Sequence, residues 1–248
     1  MTGIEAEAAA LEGTRRRNPL LAQRIRRDMM DAIVEQRLRP GTHLPEEELA
    51  AIYSATRRQI AKVLQSLATD ELVELNPNRG AFVARPTWTE AREIIELRRV
   101  VEAHVVKQLA ASPTLGTRLA RALDKVHPRR SHRAHDEAVR HSGRFHVVLA
   151  ECAGNQQIAR LVQSLVARSS LVVELYGNIT GLACWIEEHA SILDHIAAAD
   201  AAAASRAMEL HLCGLESSLL EDKPNSSNTA LSTVLGPTKP RRATKRQQ

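Results

Sequence analysis

His146, His189 and His211 stand in RFHVVLAECAGN, EEHASILDHIAAAD and RAMELHL, each inside a different run of helical periodicity. Imidazoles from three helices meeting at one point would bind Zn, Ni, Mn or Fe, leaving further positions open to water or a carboxylate. Taken singly, each is an ordinary surface or hydrogen-bonded core histidine. A second set lies nearer the N-terminus: Thr56, Arg57, Arg58, Gln59 and Lys62 open a helical run, and Arg79-Gly80 sits in a turn after it. Such helix side chains can reach base edges in the major groove of double-stranded DNA, Arg to guanine being the commonest contact. A metal-dependent hydrolase using the three histidines is the competing reading, with Glu187 or Glu188 as its base. Against it, the chain has no HExxH, no nucleophile elbow, no Gly-rich phosphate loop and no coherent carboxylate pair.

The elements that would present the second set are legible from Leu38 to Ala84. Leu44, Leu49, Ala50 and Ile52 mark one short helix, and Ile60, Val63, Leu64 and Leu67 recur at spacings of three and four in a second. Tyr53-Ser54-Ala55-Thr56 leaves room only for a sharp turn, with Thr56 as the N-cap. Leu72–Leu75 and Ala81–Ala84 are strand candidates joined by Asn76-Pro77-Asn78-Arg79-Gly80. This pattern is a winged helix-turn-helix. Before it, Leu21, Ile25, Met29 and Ile33 recur every four residues. Arg24, Arg26, Arg27, Arg37 and Arg39, with Arg15-Arg16-Arg17, are candidates for backbone phosphates or for a solvated face.

From Thr87 onward the periodicity is helical throughout, predicting helices over Thr87–Ala111, Thr114–His127, Asp136–Ala153, Gln156–Tyr176, Leu182–Ala199 and Ala201–Leu220. Aromatics make up 2% of the chain, so Leu, Val, Ile and Ala must fill the core, which suits close helix packing. The expected fold is mainly α: a disordered arm (1–17), a winged helix-turn-helix DNA-binding domain (18–85), an all-helical effector domain (86–221) and a disordered basic tail (222–248). The net charge of +5 belongs to that tail, where one acidic residue faces Lys223, Lys239, Arg241, Arg242, Lys245 and Arg246. Residues 1–221 therefore sum to about zero, and the basic balance says nothing about the folded part. No apolar run approaches the roughly 20 residues that span a membrane, and the N-terminus lacks a secretory h-region. Cys152, Cys184 and Cys213 are odd in number and widely spaced, which fits reduced core cysteines in a cytoplasmic protein.

The first domain resembles the GntR family of bacterial transcription regulators. The match runs through LRPG (Leu38–Gly41), EEELA (Glu46–Ala50), the Thr56-Arg57 helix opening and NRGAFVA (Asn78–Ala84). The family's recognition helix usually opens Ser-Arg-Thr-Pro-Val-Arg-Glu-Ala-Leu. Here Arg57 is kept, Ala61 replaces the second Arg, Lys62 replaces a Glu, and Ser54 and Glu71 stand where the family has Gly. The preferred base sequence is expected to differ accordingly. The second domain is similar to the FCD-type effector domain of the FadR subgroup, through IELRRVVE (Ile95–Glu102), FHVVLAECAGN (Phe145–Asn155), EEHASILDHIAAAD (Glu187–Asp200) and MELHL (Met208–Leu212). Six helices rather than seven point to the shorter, VanR-like branch. The resemblance implies a homodimeric repressor that reads an inverted repeat and answers to a small carboxylate. It also implies a divalent metal (Zn, Ni or Mn) held by His146, His189 and His211, with Ser142 at the usual Asp position. Arg98 falls where family members keep a pocket arginine, and a guanidinium can hold a carboxylate by two prongs. Its alternative is a surface pair with Glu102.

Overall fold

The computed structural model describes residues 20–112, 114–115, 119, 135–177, 182–221 and 231–235. The first helix, α1 (residues 20–34), buries Ile25, Met29, Met30 and Ile33. Two short helices follow, α2 (Glu46–Tyr53) and α3 (Arg57–Thr69). A capping box starts α3: Thr56 Oγ1 accepts from the Gln59 N–H, and Gln59 Oε1 accepts from the Thr56 N–H. Its buried face is Ile60, Val63, Leu64 and Leu67, each stabilising by roughly 1.5–3 kcal/mol before entropy is counted. Ser54 (φ 50) and Glu71 (φ 58) both adopt the left-handed conformation. The two positions where the family carries Gly thus keep Gly's backbone without its freedom.

The wing is the antiparallel pair β1 (Val73–Asn76) and β2 (Gly80–Val83), in register Val73↔Val83 through Asn76↔Gly80. Strand pairing is shifted by one residue from the sequence pattern, since Asn76 and Gly80 close the turn as a pair. His43 adds a further bridge to Phe82.

The second domain is built on α4 (Trp88–Ala110), started by a second capping box between Thr87 and Glu90. It continues with α5 (His135–Cys152), α6 (Gln156–Tyr176, N-capped by Asn155), α7 (Leu182–Ala197) and α8 (Ala201–Ser217, N-capped by Asp200). The α4 helix lies centrally against α8 and α6, while α5 packs on α6 and α7 on α8. The expected helix over Thr114–His127 falls almost wholly outside the described residues, as do the N-terminal arm and Arg15-Arg16-Arg17. Within the segment expected to be disordered, Leu231–Val234 forms one helical turn, α9, with Leu231 and Leu235 buried. Three apolar side chains on one face of that turn explain the difference.

The two domains share one continuous apolar core. Polar ties add to it: Arg168 to Glu71 at 2.5 Å, Arg39 to Glu174 at 3.5 Å, and the Tyr176 hydroxyl donating to the Pro86 carbonyl at 2.9 Å. Gly143 lets α1 approach α5, because a Cβ there would lie 2.7 Å from Val34 Cγ1. Among the described residues, no helix is long and apolar enough to cross a membrane.

Candidate metal centre and nucleic-acid interface

His146 on α5, His189 on α7 and His211 on α8 converge in the core, each 2–3% exposed. One nitrogen from each ring lies within 4.8 Å of the others. His211 Nε2 is 3.3 Å from His146 Nε2 and 3.2 Å from His189 Nε2. Phe145, fully buried, stacks on His189 with centroids 3.9 Å apart and planes 15° apart, fixing that ring.

Carboxylates orient the other two rings from behind. Glu102 Oε2 is 2.5 Å from His146 Nδ1, and Glu188 Oε2 is 2.6 Å from His211 Nδ1. A carboxylate at Nδ1 fixes the proton there and leaves Nε2 as a lone pair. Two such lone pairs then face each other at 3.3 Å between His146 and His211, a repulsive contact unless a cation or proton lies between them. Metal–nitrogen bonds of 2.0–2.1 Å set neighbouring nitrogens about 3.0 Å apart in octahedral and about 3.4 Å apart in tetrahedral geometry. The two spacings made by His211 fall in that interval and the third nitrogen pair lies within 4.8 Å, so the donor set can close on a divalent ion. Ser142, one turn before His146, lines the same cleft.

Electrostatics favour the ligand forms. Burial alone would raise the Glu102 pKa, but Arg98 and His146 outweigh it and hold it to about 2. Burial, helped by Arg98 and His211 and opposed by Glu102, lowers His146 to about 4, keeping it neutral.

Arg98 does pair with Glu102, Nε to Oε1 at 2.6 Å, but at 3–4% side-chain exposure rather than on the helix surface. The helix turns Arg98 and Glu102 inward together because both lie on the buried stripe of α4 with Ile94, Ile95, Val105 and Val106. Arg98 Nη1 donates to Ser169 Oγ at 2.8 Å, and Nη2 is buried with no hydrogen-bond partner. Arg98, Ser142, His146, Ser169 and His211 line one cleft. Sequence reasoning missed the inward Glu102 and Ser169. The spacing of Arg98 to Glu102 was the only signal, and it reads equally well as a surface pair. It also set Glu188 aside as solvent-facing, whereas Glu188 is the partner of His211; Glu187 is exposed.

The residues expected to face DNA divide by their surroundings. Thr56 and Gln59 use their side chains in the α3 capping box. Arg57, Arg58 and Lys62 are exposed on α3, with Arg57 Nη2 2.7 Å from Glu47 Oε1. Arg79 is exposed at the wing tip, its guanidinium 5.9 Å from the Phe82 ring centre. Gly80 (φ +89) is also exposed, and a Cβ there would be strained and 3.1 Å from His43 Nε2. The α1 side yields fewer phosphate candidates than the sequence offers, since Arg26 pairs with Asp70 and Arg39 with Glu174.

Comparison with known proteins matches residues 21–83 to the bacterial regulatory proteins of the gntR family and residues 93–213 to the FCD domain. The chain is 22% identical to the HTH-type transcriptional repressor RspR of Escherichia coli strain K12, over 82% of this chain and 89% of that protein. It is 26% identical to the HTH-type transcriptional regulator LutR of Bacillus subtilis strain 168, over 72% and 92%. A crystal structure of a GntR transcriptional regulator from Rhodococcus sp. RHA1 superposes with TM-score 0.67 at 28% identity, covering 79% of this chain and 95% of that one. These relatives are regulators, which removes the hydrolase reading. With a winged helix-turn-helix at residues 21–83 joined to an FCD domain at 93–213, the chain belongs to the GntR family of bacterial transcription regulators.

Proposed function

We infer that the protein is a cytoplasmic, ligand-responsive repressor that binds an inverted-repeat operator as a homodimer through residues 18–85. Residues 86–221 take a small carboxylate into the cleft beside a divalent ion. His146, His189 and His211 would hold that ion, which would supply a Lewis-acidic site for a carboxylate oxygen. The observation that carries the reading is Arg98 Nη2, a buried cationic donor without a partner in a cleft lined by His146 and His211. A buried donor left unmade costs about 1–3 kcal/mol, more when charged, and an anionic ligand satisfies it. Arg57, Arg58, Lys62 and Arg79 are the base and phosphate contacts in this reading, with Thr56, Gln59 and Gly80 shaping the elements that carry them. Leu97 and Val100 on α4 and Leu210 on α8 are exposed apolar side chains at 43–67%, a surface suited to a second copy.

The test is metal analysis of the purified chain, followed by a thermal-shift screen of small carboxylates and operator binding by fluorescence anisotropy. A ligand prefers one arrangement of the two domains or changes nothing. Saturating effector should shift operator affinity about 5- to 150-fold, and operator should shift effector affinity by the same factor. Carboxylates that bind tightly while leaving operator affinity unchanged would remove the effector role.

A further inference from the structure

The turn that ends α1 carries a residue of the DNA-binding domain into the cleft of the other domain. Gln36 adopts φ 55, its N–H donating to the Ile33 carbonyl while Arg37 and Leu38 both donate to Ala32. That left-handed step places Gln36 in the wall shared with Arg98, Ser142, His146 and His211. The close approach of α1 to α5 at Gly143 makes this reach feasible, and any larger residue there would push Val34 away. The backbone N–H of Gln36 is spoken for. Its carboxamide, with two donors and one acceptor, makes no hydrogen bond among the described residues.

Size sharpens the point. The cleft interior is small, about 30 Å³, so an acid held there lies against the wall on several sides. The walls from α4, α5, α6 and α8 belong to one packed bundle, where shifting a helix disturbs many contacts at once. Gln36 is the wall component attached to the other domain.

We propose that Gln36 is an effector-binding residue, its carboxamide contacting the carboxylate or an adjacent hydroxyl of the ligand, so that the DNA-binding domain forms part of the effector site. The proposal rests on the reading of the cleft given above. Coupling then needs no long relay. Gln36 follows directly on α1, whose Ile25, Met29, Met30 and Ile33 sit in the same core as Leu64 and Leu67 of the recognition helix.

The experiment uses the full chain with Zn present, and lactate, malate, citrate and D-gluconate as probes. Wild type, Gln36→Ala, Gln36→Glu and Arg98→Lys are compared for acid affinity, melting temperature without acid, and operator affinity with and without acid. Gln36→Glu sets a carboxylate against a carboxylate and should weaken the bound acid by about tenfold or more, with Gln36→Ala weakening it less. Both should keep the acid-free melting temperature and metal content, and both should shrink the operator response. An acid weakened by Arg98→Lys but bound by both Gln36 variants with wild-type affinity and response would overturn the proposal and leave the cleft reading standing. An acid indifferent to Arg98→Lys as well, or no acid bound by wild type, would overturn both.

Discussion

Glu102→Gln tests whether the buried polar cluster is built around a metal. Glu102 Oε1 accepts from Arg98 Nε at 2.6 Å while Oε2 faces His146 Nδ1 at 2.5 Å. A glutamine has one oxygen for those two donors. If the oxygen stays on Arg98, the amide NH2 meets the His146 Nδ1–H, and the ring escapes only by moving its proton to Nε2. That proton then points at His211 and blocks the lone pair a metal needs. If the amide turns the other way, Arg98 loses its acceptor. Losing such an orienting partner lowers metal affinity about 10- to 100-fold. With metal at 100 times its Kd, binding stabilises the wild type by about 2.7 kcal/mol; weakened as above, it leaves about 1.4 to 0.4 kcal/mol. The metal-dependent part of stability should therefore fall by about 1.3–2.3 kcal/mol. This comes on top of a metal-independent loss of about 1.5–3 kcal/mol for the charged hydrogen bonds. Four urea unfolding curves separate the two: wild type and variant, each in chelator and in Zn. If Zn adds the same increment to both proteins within about 0.5 kcal/mol, the Glu102–His146 pair has nothing to do with a metal and the reasoning fails.

Arg57→Ala should weaken specific operator binding by about 1–3 kcal/mol while changing affinity for a scrambled duplex less. Equal losses on both at matched salt would leave Arg57 a phosphate contact only. Ser142→Asp should tighten Zn in chelator competition and loosen carboxylate binding in calorimetry; no change in either would place Ser142 outside the site. Ser54→Gly removes the Cβ from a residue at φ 50 and should raise stability by about 1 kcal/mol. A melting temperature that does not rise would mean that the left-handed turn is held without strain.

Most of the architecture is legible because its signals are local. Thr56 and Gln59, or Thr87 and Glu90, are three residues apart, and each pair starts a helix by hydrogen bonds that spacing alone can announce. The apolar faces of α1 and α3 follow the same logic. The site is legible only in part. Three histidines stand out by residue type, but their convergence joins positions 22 to 65 residues apart, which periodicity does not encode. Glu102 was harder still. Four residues after Arg98 on a helix, it carries the mark of a solvent-facing ion pair, and only the packing of α4 against α6 and α8 turns both inward. The basic residues of α1 misled in the opposite direction, since Arg26 serves Asp70 at 2.5 Å instead of standing open to a phosphate. Gln36 had no signal at all, because its place depends on how one domain sits on the other.

The serine at position 142 bears on what the cleft prefers to hold. Burial makes an uncompensated charge expensive, so a buried site tends toward electrical balance among its members. Glu102 and Glu188 stand behind His146 and His211, and Arg98 stands beside Glu102. With neutral imidazoles and a dication added, those charges leave one positive unit; an aspartate at position 142 would cancel it, and a serine does not. In the function proposed above, the serine would also leave the ion one ligand short, and an incoming carboxylate would both supply that ligand and neutralise the excess. Arg98 Nη2, without a partner, would add a second donor to the same anion. A chain with aspartate there would hold its metal more tightly and its effector with less electrostatic help. On the proposed function Ser142 would trade permanent metal affinity for dependence on the ligand, and the ligand it would favour carries at least one negative charge.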